Sequence, residues 1–380
     1  MSASRARNRN SLQGLGLTRF STAFNGKFLA SAPTGVHRVA RELISSLDDL
    51  LSRLEVRGTD SAWQLLKPRD AYQPLSLSHI PARTVGFNTW QPWEQVDLPF
   101  AAKNKILVNL CNLGPLAHPR NVTMIHDAQV FTSPASYGPA FRAWYQFALP
   151  KLGHQSIRVL TVSNFSRDQL VEYGIAERDN VSVIYNGVDH LLRTPAAQGV
   201  VEKFSIVPNR YVVALASTQA HKNIKVLLKA FRDARLSKLK LVLVGAAGEA
   251  EFLGAALDAP ANTLFAGAVS DAEFRGLMES ALCFACPSTT EGFGLPPLEA
   301  MTLGCPAIVA PCGALPEVCG EGAEYADPDD PSAWAEAIIR LRDDEPFRAA
   351  LIVRSRRQAA QFTWARSAQL LYDELSRLMA

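Results

Sequence analysis

The chain reads as an α/β protein of two domains, and three observations carry that reading. Short apolar, β-branched runs alternate with amphipathic helical stretches, the pattern of parallel strands covered by helices. A polar stretch at about 190–205, with Pro195 and Gly199, has the composition of a linker. At 380 residues, each half is long enough to bury a core of its own.

Taken in order, residues 1–18 are basic at Arg5, Arg7 and Arg9 but carry no apolar run after them. They read as a disordered lead-in without a secretory signal. A first domain is expected over 19–190. Residues 20–29 form a strand ending at Asn25-Gly26 with a short extension. Thr34 is the natural cap of a helix whose apolar positions 36, 39, 40, 43, 44 and 47 share a face. Gly35, at its start, either lets a ligand approach the backbone or simply serves a tight turn. The unit lacks Gly-x-Gly-x-x-Gly, so it is not a dinucleotide fingerprint. Trp90 to Trp93 (WQPW) reads as an aromatic, proline-interrupted loop. Residues 106–110 and 122–125 are strands, and His126-Asp127 stands at the C-terminal end of the second. Open parallel sheets bind ligands beyond such ends, which makes His126 an active-site candidate, although a lone histidine is commonly structural. Asp127 either orients that ring or caps the next segment. Residues 135–152 read as a helix ended by Pro150, with Phe141, Trp144, Tyr145 and Ala148 as a core stripe. The strand at 159–162 leads to Ser163 and Ser166, both candidate helix caps. The strand at 181–184 runs into Asn186-Gly187-Val188-Asp189.

The second domain is expected over 205–361. Its first strand, 211–216, is followed by His221 and Lys222 just before a helix with Ile224, Leu227, Leu228 and Phe231 on one face. A cation there opposes the helix dipole unless an anion binds, which points to phosphate. Strands follow at 239–244, 263–266 and 283–286. The first ends in a Gly-x-x-Gly too weak to mark an NAD site, and the last contains Cys283 and Cys286. Those cysteines fall on opposite strand faces and read as free thiols of a reducing compartment. No His, Cys, Asp or Glu cluster has metal-ligand spacing, and Asp327-Pro-Asp329 lies in a late turn. Phe362-Thr363-Trp364 precedes a last helix that runs to Leu378.

The stretch at 291–299 (EGFGLPPLE) holds two glutamates eight positions apart around a glycine-rich loop. Pro296 and Pro297 suit a first helical turn, and Glu299 is expected in that turn. Backbone N–H groups and the positive end of the dipole then face the loop, favouring an anion. Glu291 and Glu299 could accept hydrogen bonds from hydroxyl pairs of a sugar or ribose. The plain alternative is a capped helix with two solvated glutamates. Against it stand Ser288-Thr289-Thr290 before the stretch and the buried strand 307–310 after it.

With these flanks the stretch resembles the Glu-x7-Glu motif of retaining glycosyltransferases with the GT-B fold, glycosyltransferase family 4, and among them bacterial polysaccharide mannosyltransferases. The resemblance covers about 20–380 and is weakest across 50–104. It implies two Rossmann-like α/β domains facing a central cleft, with the C-terminal helix (362–380) returning to the first domain. It implies that Glu291 contacts the donor sugar and Glu299 the ribose, with Gly292, Phe293, Gly294 and Leu295 around the donor. Lys222 would neutralise the donor diphosphate. The family's upstream arginine is missing here, and His221 is a candidate substitute. Gly35, Ser163 and His126 correspond to donor- or sugar-facing positions, with WQPW on the acceptor side.

The implied activity is metal- and cofactor-independent transfer of a hexose to a glycan or polyprenyl-diphosphate-linked acceptor. GDP-mannose is the first expectation for the donor and a UDP-hexose the second. The rivals are another GT-B activity, an epimerase or phosphorylase, and a non-catalytic nucleotide-sugar-binding protein. Residues 1–190 hold 20 Lys/Arg against 14 Asp/Glu, and residues 191–380 hold 19 against 22. The basic first half suits an anionic acceptor or peripheral contact with the inner face of the cytoplasmic membrane, although plain solvated charge explains it equally. A near-neutral chain with no recognised module argues against nucleic acid. No apolar run reaches the roughly 18–20 residues of a membrane span, and the expected location is cytoplasmic.

Overall fold

Side chains along the strands alternate between two buried faces, and every named strand pairs in parallel. In the computed structural model, residues 21–54 and 62–379 are described. The expected lead-in and Phe20 of the first strand lie outside the described residues. The first sheet contains β1 (Ser21–Asn25), β2 (Trp63–Lys67), β3 (Ala82–Thr84), β4 (Lys105–Asn109), β5 (Asn121–Met124), β6 (Arg158–Thr161) and β7 (Val181–Val183), in the order 3-2-1-4-5-6-7. The second contains β8 (Tyr211–Leu215), β9 (Lys240–Val244), β10 (Thr263–Gly267), β11 (Cys283–Cys286), β12 (Ala307–Val309) and β13 (Glu324–Tyr325), in the order 10-9-8-11-12-13.

Both sheets reverse their strand order once, between β1 and β4 and between β8 and β11. At such a reversal the loops leaving the carboxyl ends diverge to opposite faces and open a crevice. The loop after β8 carries Lys222, and the loop after β11 carries Glu291.

The period of two decides the layers. In β9, Val242 and Val244 enter one core while Leu241 and Leu243 enter another. In β11, Phe284 and Cys286 face the first core, and Cys283 and Ala285 the second. The two cysteines of Cys-x-x-Cys therefore do not meet. The helix Gly35–Arg53 buries Val39, Leu43, Ile44 and Leu47 against the first sheet. The C-terminal helix Trp364–Met379 returns to lie beside it. Its Leu371 and Leu375 are buried there, and Tyr372 stacks on Trp63 with ring centroids 6.2 Å apart.

Two local expectations are corrected. WQPW is not a loop: residues 90–101 are helical, with a wide π turn over Trp93–Asp97. Pro92 falls where a missing N–H costs little, and Trp93 is buried with its indole N–H donating to Val85 O at 2.8 Å. Pro150 does not end its helix, which spans Pro139–Gln155. Burial of Leu149 and Leu152 on both sides of it, with Gly153 directly against the Ile175 backbone, outweighs one lost backbone bond. The stretch expected as a linker contains the single-turn helices His190–Arg193 and Val200–Lys203.

Candidate active site

The two loops beside the second reversal are tied to each other before any ligand is considered. Asn223, left-handed at φ 49°, donates its side-chain amide to Pro287 O and Pro328 O at 3.2 and 2.8 Å. Thr289 N donates to His221 O at 2.8 Å. Lys222 and Glu291 are thereby brought face to face, with Nζ 2.7 Å from Oε1. Burial alone would push the Glu291 carboxyl up. The Lys222 charge, helped by hydrogen bonds from Lys222 and Ser288, overcomes that and holds it below the usual range. Burial likewise works against the Lys222 ammonium, but Glu291 keeps its pKa above the ordinary value. Both groups therefore stay charged.

Beyond Glu291 the chain turns at Gly294, whose φ of 95° favours glycine. The helix Leu295–Leu303 begins immediately after it, with prolines in its first turn. Glu299 consequently lies in the second turn, one turn later than expected. It is 7% exposed and lines the same cleft.

The cleft is a cavity of about 940 Å³ between the two sheets, at the upper end of small-molecule sites. Gly292, Phe293, Gly294 and Leu295 line it, as do Gly35, His126, His221, Lys222, Glu291 and Glu299. A Cβ on Gly35 would meet no atom within 4 Å, so crowding by a tight turn does not explain that glycine. Ser163 is the exception among the expected residues. It is fully buried under the loop, caps the helix Asn164–Glu172, and donates through Oγ to Gly292 O at 2.7 Å. It holds the loop rather than facing the cleft.

Burial holds His126 and His221 neutral. His126 lies at the end of β5 with Nε2 2.9 Å from Leu110 O. Burial lowers its pKa to about 4, against that hydrogen bond. His221 is also lowered to about 4, by burial and then by Lys222. Its Nδ1 lies 2.8 Å from Ser136 Oγ of the opposite domain, and its ring stacks on Tyr137. A neutral ring cannot replace the missing arginine's charge. Asp127 caps the next segment through Gln129 N (3.0 Å), which settles its role in favour of the cap. Burial pushes its carboxyl up and the Glu291 charge adds to this, against the Gln129 bond.

Several residues line the cleft that the sequence did not place there. Arg38, in the first turn of its helix, pairs in bidentate fashion with Asp271 of the other domain at 2.8 and 2.6 Å. Tyr137, Phe141 and Tyr145 form a ladder of stacked rings on the first-domain wall, with centroid spacings of 5.4 and 4.1 Å. Phe141 is 44% exposed, so this part of the stripe expected in the core faces the cleft instead. The helical spacing was visible, but the side it faces depends on where the second domain docks. Chemically, the site offers a fixed cation and a helix N-terminus for an anion, two carboxylates for hydroxyls, and an aromatic wall opposite.

The chain is similar to known proteins over most of its length. Residues 33–190 match the family model "Glycosyltransferase Family 4", and residues 202–358 match "Glycosyl transferases group 1". O-antigen chain mannosyltransferase B of Escherichia coli is 32% identical over 260 residues, 64% of this chain and 67% of that protein. O-antigen chain mannosyltransferase RfbU of Salmonella typhimurium is 29% identical over 60% of this chain and 62% of its own. The serotype-specific mannosyltransferase WbdA of E. coli is 26% identical over 68% of this chain, which spans about a third (34%) of that protein. Among solved structures, Anabaena HepE in complex with UDP and glucose superposes with a TM-score of 0.70 at 16% identity, covering 94% of this chain and 100% of that one. WaaG, a glycosyltransferase involved in lipopolysaccharide biosynthesis, superposes at 0.67 with 14% identity, covering 93% and 99%.

Proposed function

The chain belongs to glycosyltransferase family 4 and has the GT-B fold, and from that premise we propose that it moves a hexose from a nucleotide diphosphate sugar to a glycan or lipid-linked hydroxyl with retention of anomeric configuration. The observation that carries this reading is the Lys222–Glu291 pair, 2.7 Å apart at the carboxyl ends of β8 and β11. Lys222 and the N-terminus of Leu295–Leu303 hold the diphosphate. The oxygen of Glu291 that faces away from Lys222 takes a donor-sugar hydroxyl, and Glu299 takes the ribose. The relatives named as mannosyltransferases support GDP-mannose as donor. A UDP-hexose is the second choice, since HepE is known with UDP-glucose. The acceptor lies along the Tyr137–Phe141–Tyr145 wall and is presented at the cytoplasmic membrane face, which the basic first half suits. Among the described residues no helix is long and apolar enough to cross a membrane.

In the proposed reaction the bond from sugar C1 to the departing phosphate oxygen breaks. The acceptor oxygen bonds to C1 on the same face, and its proton passes to that phosphate oxygen. Lys222 and the helix N-terminus stabilise the charge that develops on the diphosphate, without a metal or cofactor. In this reading Glu291 is an ion-paired hydrogen-bond acceptor, and no covalent glycosyl–enzyme intermediate is formed.

Thermal unfolding across GDP-, UDP- and ADP-sugars tests the reading. A ligand at about 100 times its Kd adds about 2.7 kcal/mol. The expected result is a clear shift with one base class, absent in Lys222→Ala. No shift with any of the three would remove the donor site.

A further inference from the structure

His190 and Trp364 lie where the chain passes between the domains. His190 follows Asn186-Gly187-Val188-Asp189, and Trp364 opens the helix that returns to the first domain. The two passages touch. Val188 N donates to Phe362 O at 3.2 Å, and Trp364 N donates to Asp189 Oδ1 at 2.8 Å. Gly187 leaves no room for a Cβ against the Trp364 backbone.

From this junction a line of polar atoms runs to the cleft. Trp364 is 1% exposed, His190 5% and Glu299 7%. An indole N–H can only donate. Trp364 Nε1 lies 3.1 Å from His190 Nδ1, so Nδ1 accepts and the proton sits on Nε2. Nε2 stands 3.2 Å from Glu299 Oε1, yet it has no aligned hydrogen-bond partner among the described residues. A buried N–H left without an aligned partner calls for a physical account.

We propose that His190 is a positioning residue for Glu299. Its Nε2–H fixes one carboxylate oxygen and leaves the other for the 2′- and 3′-hydroxyls of the donor ribose. Trp364 sets the tautomer that makes this possible. Ribose recognition is thereby tied to both passages between the domains. The proposal rests on the reading of Glu299 as the ribose ligand.

The test is calorimetric binding of GDP and its 2′-deoxy and 3′-deoxy analogues, with the uridine series alongside. Wild type is expected to prefer the ribonucleotide by about tenfold or more, the loss that accompanies a missing hydrogen bond to a charged group. His190→Leu and Trp364→Phe should both bring that preference close to unity while leaving affinity for the deoxy analogues unchanged. His190→Gln, which keeps an N–H donor, should restore part of it. Should His190→Leu fail to fold, Trp364→Phe and His190→Gln carry the comparison. Glu299→Gln separates the two claims. If it keeps full ribose preference, the reading of Glu299 itself fails. If it loses the preference while the His190 and Trp364 variants keep theirs, the positioning role is overturned.

Discussion

On the wall built by β8–β13, fixed charge is gathered at two strand ends: Lys222 and Glu291 pair after β8 and β11, and Glu299 follows one helix later. On the opposite wall the strand ends carry Asn25, Asn109 and neutral His126, and beyond them stand the rings of Tyr137, Phe141 and Tyr145. Its one cation in the cleft among the described residues, Arg38, is already committed to Asp271 across the gap. On the proposed reading, this contrast lets one cleft handle two kinds of ligand. Phosphate needs preorganised charge, and a sugar chain needs an amphipathic surface with hydroxyl partners. Substitutions on the charged wall should therefore cost far more than substitutions on the other.

The largest effect is expected at the ion pair. Lys222→Ala or Glu291→Ala should lower kcat/KM by at least ~10²-fold, about 2.7 kcal/mol. Because each single variant leaves a buried partner uncompensated, the double variant should be little worse than the poorer single one. Steady-state kinetics on all three variants checks this, and fully additive losses would mean that the two side chains act independently. Next comes Glu299→Gln, expected to raise donor KM by about tenfold with kcat nearly unchanged, since ribose contacts are alike in ground and transition states. A pure kcat loss would contradict that assignment.

Gly292→Ala probes the contact between the walls. A Cβ there would stand 2.9 Å from His126 O and Asp127 Cβ. Forcing the domains apart should cost about 1–3 kcal/mol, seen as a lowered Tm together with a several-fold loss of kcat. A variant with wild-type Tm and rate would show that the walls do not need this approach.

The smallest effect concerns pH. His126 and His221 resist protonation until about pH 4 when folded, whereas an unfolded histidine titrates near 6.5. Between those values the unfolded chain binds more protons, so stability present above about pH 6.5 is lost as pH falls toward 4. Tm measured against pH should fall more steeply in wild type than in His221→Gln. Parallel curves would mean that this ring is not held neutral.

How much of this was legible in the sequence follows from the distance each feature spans. Strand periodicity, the cap at Thr34 and the glycine-rich loop leading into the helix at Leu295 are local, and the sequence pattern placed them within a few residues. The conflict of Lys222 with its helix dipole was local too, and it pointed to phosphate. The pair of Arg38 with Asp271 joins residues 233 apart, and the bond of His221 to Ser136 crosses the cleft. Neither leaves a mark on its neighbours in the chain. Pro92 and Pro150 misled because proline reads as a breaker, while burial of Trp93 and of Leu149 and Leu152 decided the local structure. The helical spacing of Phe141 and Tyr145 was plain, but core and cleft cannot be told apart by period alone.

Proton NMR of slow donor hydrolysis, using whichever nucleotide sugar stabilises the protein, tests retaining transfer at this site most directly. With an α-linked donor the first free sugar to appear should be the α anomer, which then mutarotates, and the signal should vanish in Lys222→Ala. First appearance of the β anomer would contradict same-face transfer, and hydrolysis undiminished in Lys222→Ala would place the chemistry elsewhere.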